Sequence, residues 1–504
     1  MNKWNRFAGG LSAVARWAVF VIFALIALAV LTRGLILPAD RGEASYLYTL
    51  LLTLAGIAVL AVIYILAPRV TERLRTFDAE KARRTERVTF ILLLAVCFIV
   101  RLAWVLRFQL VPEVDYYTFY YAAESLAQQY DISALGDYLP RYLALFPHIF
   151  GYASFLSLIF KVFGASQLAA AVTNVVLSTI SAGLIYYIAR KLAGRIAAFA
   201  ALFIWCFYPS QIMYNMLVLS EPYYTTLFIA SVALLVYIRE RLTVCPAWRT
   251  ALIGAVTGAV LSLANSARPI AAIMIIASAI VLFIIQPAVK GVYLGKKALL
   301  LVFMCAVYFA GNALNSYVFE SRVGEAPATM PGYNMLVGFN ASTSGQWSAE
   351  DSAELDKYNA DPNLSAVDVQ GKMMDEAIER ITSGEINFPL LFMKKVLVLW
   401  SSDSAAVTTY GQDEIPHPAA WTGVANAYYF LTWLLAALWA AVLLRRKDWG
   451  MGWMLPLYVV GLTMAQMLVE VAPRYHYSGV FCLALMAAFA VKELYRLSVQ
   501  RRKK

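Results

Sequence analysis

"YLALFPHIFGYASFLSLIFKVFG" (residues 142–164) is apolar and long enough to cross a bilayer, yet Pro147, His148 and Gly151 interrupt its first half. Whether it crosses decides the fold, because one extra crossing reverses the side on which every later loop emerges. The chain around it reads as a polytopic membrane protein. Its 504 residues are 61% hydrophobic and 14% charged, with a mean hydropathy of +0.65. An average soluble domain is about 45–50% apolar and about 25% charged. A spanning helix needs about 20 mostly apolar residues. Twelve other segments qualify: 17–37, 46–67, 88–110, 166–189, 196–215, 219–238, 250–266, 269–287, 298–318, 421–444, 452–470 and 477–496. A shorter run, 386–400, carries Lys394 and Lys395 in its middle and reads as a helix lying in the interface.

The basic residues settle the matter. With twelve spans, "PRVTERLRTFDAEKARRTER" (68–87), "ARKLAGR" (189–195), "IRERL" (238–242), "VKGVYLGKK" (289–297), "LLRRKDWG" (443–450) and "SVQRRKK" (498–504) all fall on one face. A crossing at 142–163 would scatter them, against the positive-inside bias. The expectation is an all-α bundle of about twelve transmembrane helices in the cell membrane, multi-pass, with both termini cytoplasmic. Residues 1–87 hold two N-terminal spans and a basic loop, and 88–318 a core with a first outer loop at 112–165. An acidic extracytoplasmic segment follows at 319–420, then 421–504 with the last spans and a basic tail. The N-terminal apolar run is too long for a signal-peptide core and reads as a retained span. Net charge +11 belongs to these loops and not to a nucleic-acid surface. Five cysteines without paired spacing and three histidines offer neither a disulfide framework nor a zinc site. No internal repeat is visible.

The residues that stand out lie on the expected outer face. Asp115 and Glu113 open "VPEVDYYTFYYAAES" (111–125), two acids among five aromatic rings. An interfacial aromatic belt explains the same composition. Glu221 in "SEP" (220–222) starts a span, where capping alone would account for it. Arg268 in "NSARPIAAIM" (265–274) and Arg474 in "EVAPRYHYSGV" (470–480) each sit beside a proline at an expected outer helix start, with Tyr475 and His476 next to Arg474. A cation there opposes the helix dipole unless an anion joins it. These two arginines point to an outward-facing anion site, and snorkelling to headgroups is the plainer reading. Arg101, inside the third span, is a third candidate, since intramembrane arginine is costly and faces a cavity or a partner.

Taken in order, the early acid, the acid-proline helix start, the late basic residue and "PRYH" resemble the GT-C membrane glycosyltransferases. The nearest likeness is to the protein O-mannosyltransferase-like family (glycosyltransferase family 39), which includes bacterial aminoarabinose transferases acting on lipid A. The likeness spans about residues 88–496 and includes "LIFKVFGAS" (158–166) as the end of an interfacial helix. It departs from the family in its two extra N-terminal spans and in writing the acid pair as "EVD", which leaves both Asp115 and Glu113 as candidate bases. The resemblance implies transfer of a sugar from a polyprenyl-phosphate donor to an acceptor hydroxyl on the outer face, with inversion. Asp115 would then be the general base, Arg268 and Arg474 phosphate clamps, and Glu221 would orient sugar or acceptor. The acceptor is left open among lipid, protein and cell-wall polymer. No cofactor is called for; a divalent metal is left open without residues to name for it. The rival reading is a transporter or flippase of lipid-linked or amphipathic solutes, which would place acids throughout the spans; here the spans are nearly free of them.

Overall fold

Two long helices, Ala247–Ala267 and Leu294–Val323, lie so close that a Cβ at Gly254 or Gly258 would collide with the backbone carbonyls of Leu300 and Met304. The stretch "GAVTG" (254–258) is the small-xxx-small spacing that lets helices approach inside a bilayer. This pair is one wall of an all-helical bundle. The computed structural model describes residues 3–36, 43–74, 79–111, 115–128, 132, 138–286, 294–411, 413–446 and 450–501, and no strand occurs among them. Nine helices of the described residues are long and apolar enough to cross a membrane, or eleven if each of two bent pairs is one span.

The difference from twelve has local causes. The segment 196–215 breaks after Cys206 into Arg195–Cys206 and Pro209–Met213, bent by 55°, with Pro209 at the second start. Within 269–287 the helix begins only at Ala272 and ends as a π-helical turn, Ile280–Ile285. The last span lies in Val480–Arg501, whose final turns carry Lys492, Glu493 and Arg496. Val480 to Ala490 is buried on every side, the signature of a central core helix. It packs against Pro418–Arg445, Arg195–Cys206 and Gln167–Ala193. The segment at 142–164 is two helices, Tyr138–Leu145 and His148–Phe163, meeting at 118°, so it does not form one straight crossing. The break falls at Phe146 and Pro147. Gly151 does not interrupt the second helix; it lies inside it, where a Cβ would meet the Ser266 backbone.

The bundle has two chemically distinct ends. At one, Glu86 pairs with Arg190 and Arg195 at 2.8 and 2.6 Å, and Lys191 pairs with Glu240 at 2.8 Å. Lys296 there donates to the Thr243 and Cys245 carbonyls. Four of the basic loops thus gather together. The helix Glu221–Arg239 runs away from this end and places Glu221 at the other, about 28 Å distant at 1.5 Å per residue. Ala247–Ala267 does the same for Arg268.

At the Glu221 end the segment after Val323 forms the helices Gly332–Gly338, Ala349–Asn359, Ala366–Thr382 and Phe388–Trp400. The third begins with a capping box between Ser365 and Asp368. Arg141 bonds Glu325, Asn359 and the Leu364 carbonyl, tying the Tyr138–Leu145 helix to this segment. Lys394 is exposed, as an interfacial lysine would be, but Lys395 is fully buried. Its Nζ donates to the Gly338, Met467 and Val469 carbonyls at 2.8, 3.0 and 2.7 Å. Lys395 therefore fastens this helix to the end of the Met454–Leu468 helix.

Candidate active site

Glu221 is fully buried at the first position of its helix, with Pro222 behind it. Proline costs nothing there, because the first N–H groups have no helical partner, and the dipole favours the carboxylate. Arg268 donates from Nη2 to Glu221 Oε1 at 2.9 Å, and Arg474 Nε lies 4.0 Å from the same oxygen. Two guanidiniums that are 206 positions apart in sequence converge on one carboxylate. The Tyr475 ring lies under both, 4.9 Å from the Arg268 guanidinium and 5.6 Å from that of Arg474, close enough for cation–π attraction to each.

The two arginines reach this point differently. Arg474 lies in a 3-10 turn, Pro473–Gly479, that leads into Val480–Arg501, so its expected place at a helix start holds. Arg268 does not start a helix. It is the C-cap of Ala247–Ala267, its N–H donating to the Ala264 carbonyl. There the dipole favours a cation and the expected conflict disappears. Burial works against the Arg268 charge, and the Glu221 carboxylate beside it outweighs that and holds the proton more firmly. Among the described residues, Glu221 Oε2, Arg268 Nε and Ser220 Oγ are buried polar atoms without a hydrogen-bond partner. Such atoms are rare in folded proteins and concentrate where a ligand or water completes the set.

Arg474 also donates from Nη1 to the Tyr410 hydroxyl at 2.6 Å. Tyr410 meets Tyr116 edge-on, ring centroids 4.8 Å apart. Burial, and Tyr410 beside it, push the Tyr116 hydroxyl up, so it remains protonated. Through this pair the N-terminus of the helix Asp115–Gln128 is docked against the arginine cluster. Asp115 is the first residue of that helix; its side chain and the whole of Glu113 lie outside the described residues. Of the five aromatics read from the sequence, Tyr116 and Phe119 are buried, and Tyr117 stacks on Tyr121 at the exposed face.

Two expected site residues have other work. Arg101 is fully buried, and its guanidinium bonds the Trp205 and Cys206 carbonyls at 2.7 and 2.9 Å. It closes the end of the broken helix, whose last carbonyls have no helical partner. His476 is buried between the Trp400 and Tyr429 rings. Its Nδ1 faces the Leu399 carbonyl at 2.6 Å and its Nε2 faces Asp403 Oδ1 at 3.1 Å. Both ring nitrogens are thus occupied, and His476 anchors the turn that carries Arg474. Asp403, which Ser210 also bonds at 2.6 Å, and Tyr410 were not foreseen. Asp403 gave the same kind of signal as Asp115, an acid just after an apolar helix; Tyr410 gave none. No group of three His, Cys, Asp or Glu side chains able to hold a metal occurs among the described residues.

No protein-family model matches the chain, and no curated protein does either. Solved structures do. One is the archaeal oligosaccharyltransferase AglB from Archaeoglobus fulgidus, in complex with an inhibitory peptide and a dolichol-phosphate. It is 13% identical, with a TM-score of 0.45 over 83% of this chain and 52% of that one. Another is ArnT from Cupriavidus metallidurans bound to undecaprenyl phosphate, 11% identical, with a TM-score of 0.32 over 82% of this chain and 78% of that one. ArnT in the apo state matches at 12% identity and a TM-score of 0.31, over 83% and 78% of the two chains. The chain spans about half the length of the oligosaccharyltransferase it matches.

Proposed function

We propose that the protein is a GT-C-type membrane glycosyltransferase that moves a sugar from a polyprenyl-phosphate donor to an acceptor hydroxyl on the outer face of the membrane. The observation that carries this reading is the convergence of Arg268 and Arg474 on buried Glu221, at the end of the bundle away from the basic loops. Two guanidiniums against one carboxylate leave the cluster with one net positive charge in a buried setting. A sugar–phosphate–polyprenyl diester brings one negative charge and leaves as a monoester with up to two. Preorganised donors aimed at growing charge are what such a departure requires, and planar guanidinium forks suit phosphate oxygens.

The step balances without a cofactor. The acceptor oxygen forms a bond to the anomeric carbon as the carbon–phosphate-oxygen bond breaks on the opposite face, giving inversion. The acceptor proton passes to Asp115, whose helix is held to the cluster through Tyr116 and Tyr410. Glu221, with one oxygen engaged and one unpartnered, orients a sugar or acceptor hydroxyl. A general base contributes about 10²–10⁴-fold. Asp115→Asn should therefore lower transfer from a polyprenyl-phosphate sugar by that order while donor binding survives, and Glu113→Gln should retain activity. An inactive Glu113→Gln beside a full-rate Asp115→Asn would move the base by two residues. Full activity in both would remove this carboxylate from the mechanism.

A further inference from the structure

Beside the arginine cluster lies a second feature that this mechanism does not use. A half-open cavity of about 530 Å³ is bordered by the helices His148–Phe163, Ala247–Ala267 and Leu294–Val323 and by residues 327–331. Its size falls within the range of about 300–1,000 Å³ found for small-molecule sites. Pro269 and Tyr223 line it, so it borders the cluster one residue from Arg268 and two from Glu221. Among its described lining residues there is no Asp, Glu, Lys or Arg.

Its polar lining is instead made of amides, several hydroxyls and the His148 imidazole. Asn265, Asn312 and Asn315 face it from the two closely packed helices, and Ser154 from a third. Ser154 Oγ is buried without a hydrogen-bond partner. Asn265 Nδ2 and Ser262 Oγ reach Asn312 Oδ1, and Asn315 Nδ2 reaches Ser262 Oγ, all at 3.3 Å. These bonds lie beyond the usual 2.7–3.2 Å of a good N–H···O bond. An amide ladder could simply join two helices, but here Gly254 and Gly258 already bring the backbones together, and the ladder opens onto a cavity. Tyr223 stacks on Phe155 at 4.4 Å, presenting flat apolar surface beside the amides.

We propose that this cavity binds an uncharged, polyhydroxylated group, a sugar ring of donor or acceptor, with Asn265, Asn312 and Asn315 reading its hydroxyls. An amide both donates and accepts, as hydroxyls do; the Asn265 oxygen already accepts from the Ala271 N–H and the Asn312 oxygen from Asn265 and Ser262. No Asp, Glu, Lys or Arg of the described lining would pair with a phosphate, carboxylate or ammonium there. The identification of the group as a sugar rests on the transferase reading; the preference for neutral polar groups does not.

The test uses the full chain in lipid nanodiscs, with methyl mannoside, glucosamine and glucuronate as probes and saturation-transfer NMR as the readout. Methyl mannoside should bind, and the two charged sugars about tenfold more weakly or worse. The Asn312→Leu, Asn315→Leu double variant should lose methyl mannoside by a similar factor and keep wild-type affinity for undecaprenyl phosphate. Asn315→Asp, which retains the amide's shape, should shift preference toward glucosamine. Displacement of methyl mannoside by undecaprenyl-phosphate mannose would assign the cavity to the donor's sugar, and simultaneous binding would assign it to the acceptor's. Charged sugars binding as well as the neutral one, no binding of methyl mannoside by the wild type, or indifference to the asparagine substitutions would each overturn the proposal. Failure to bind undecaprenyl phosphate would count against the transferase reading and leave the cavity's result standing.

Discussion

Glu221 holds one guanidinium at 2.9 Å and has a second at 4.0 Å, while its own far oxygen is buried and unpartnered. The buried carboxylate is paired with the two guanidiniums, and it holds them aimed at one point. Removing one member of a buried ion pair costs about 3–5 kcal/mol, because the remaining charge is left without compensation. Glu221→Gln should therefore melt well below the wild type, and added polyprenyl phosphate should restore more of the variant's thermal stability than it adds to the wild type's. Equal shifts in both would mean that the anion does not meet these arginines. Arg101 shows where residue-level reading from sequence stops. Cost inside a membrane marked Arg101 as purposeful, and it is, but its partners are the Trp205 and Cys206 carbonyls at a helix break that Pro209 signals and the reading of 196–215 as one span passed over. Arg101→Met removes the donor from the Cys206 carbonyl, at about 1–3 kcal/mol, while the Trp205 carbonyl keeps the Tyr208 N–H. It should lower thermal stability and leave affinity for polyprenyl phosphate unchanged, as measured on the folded fraction.

At the scale of elements, proline and charge were the informative signals. Pro147 marks the 118° turn that keeps 142–164 from forming one straight crossing, and Pro222 and Pro473 mark the starts that carry Glu221 and Arg474. Pro269 misled, since the following helix waits until Ala272 and leaves Arg268 as a C-cap. Gly151 was read as a helix breaker, whereas its small size allows His148–Phe163 to touch the Ser266 backbone, two residues from Arg268. Gly151→Ala should push these helices apart and weaken donor binding, with no change in the residues that contact the donor. Lys395 illustrates a feature invisible in sequence, a buried amino group close to three backbone carbonyls from two other segments. Burial pushes it down to about 7, with Glu470 opposing, from an ordinary 10.5. Between these values the unfolded chain binds the extra proton and the folded one does not, so stability should rise with pH across that window. A pH series of melting temperatures should show this rise in the wild type and lose it in Lys395→Met.

For the whole molecule, the positive charges were read as one set, and four of the six basic loops assemble at one end. Glu86, Arg190, Arg195, Lys191, Glu240 and Lys296 meet at a single end, although they come from loops spread over 210 positions. The candidate site stands at the opposite end, which we propose faces outside the cell, the side that the positive-inside bias favours. Cysteine labelling in intact cells should accordingly protect residues 190–195 and expose 349–382; the reverse would invert the account. What sequence could not show is the convergence itself, because Glu221, Arg268 and Arg474 are joined only by the packing of three separate helices. The most direct measurement is therefore the affinity of the purified protein for polyprenyl phosphate, in the wild type and in Arg268→Ala and Arg474→Ala. Each variant should bind about 10- to 100-fold more weakly, the loss expected for a charge-assisted contact of about 1.5–3 kcal/mol. Wild-type affinity in both variants would contradict the account.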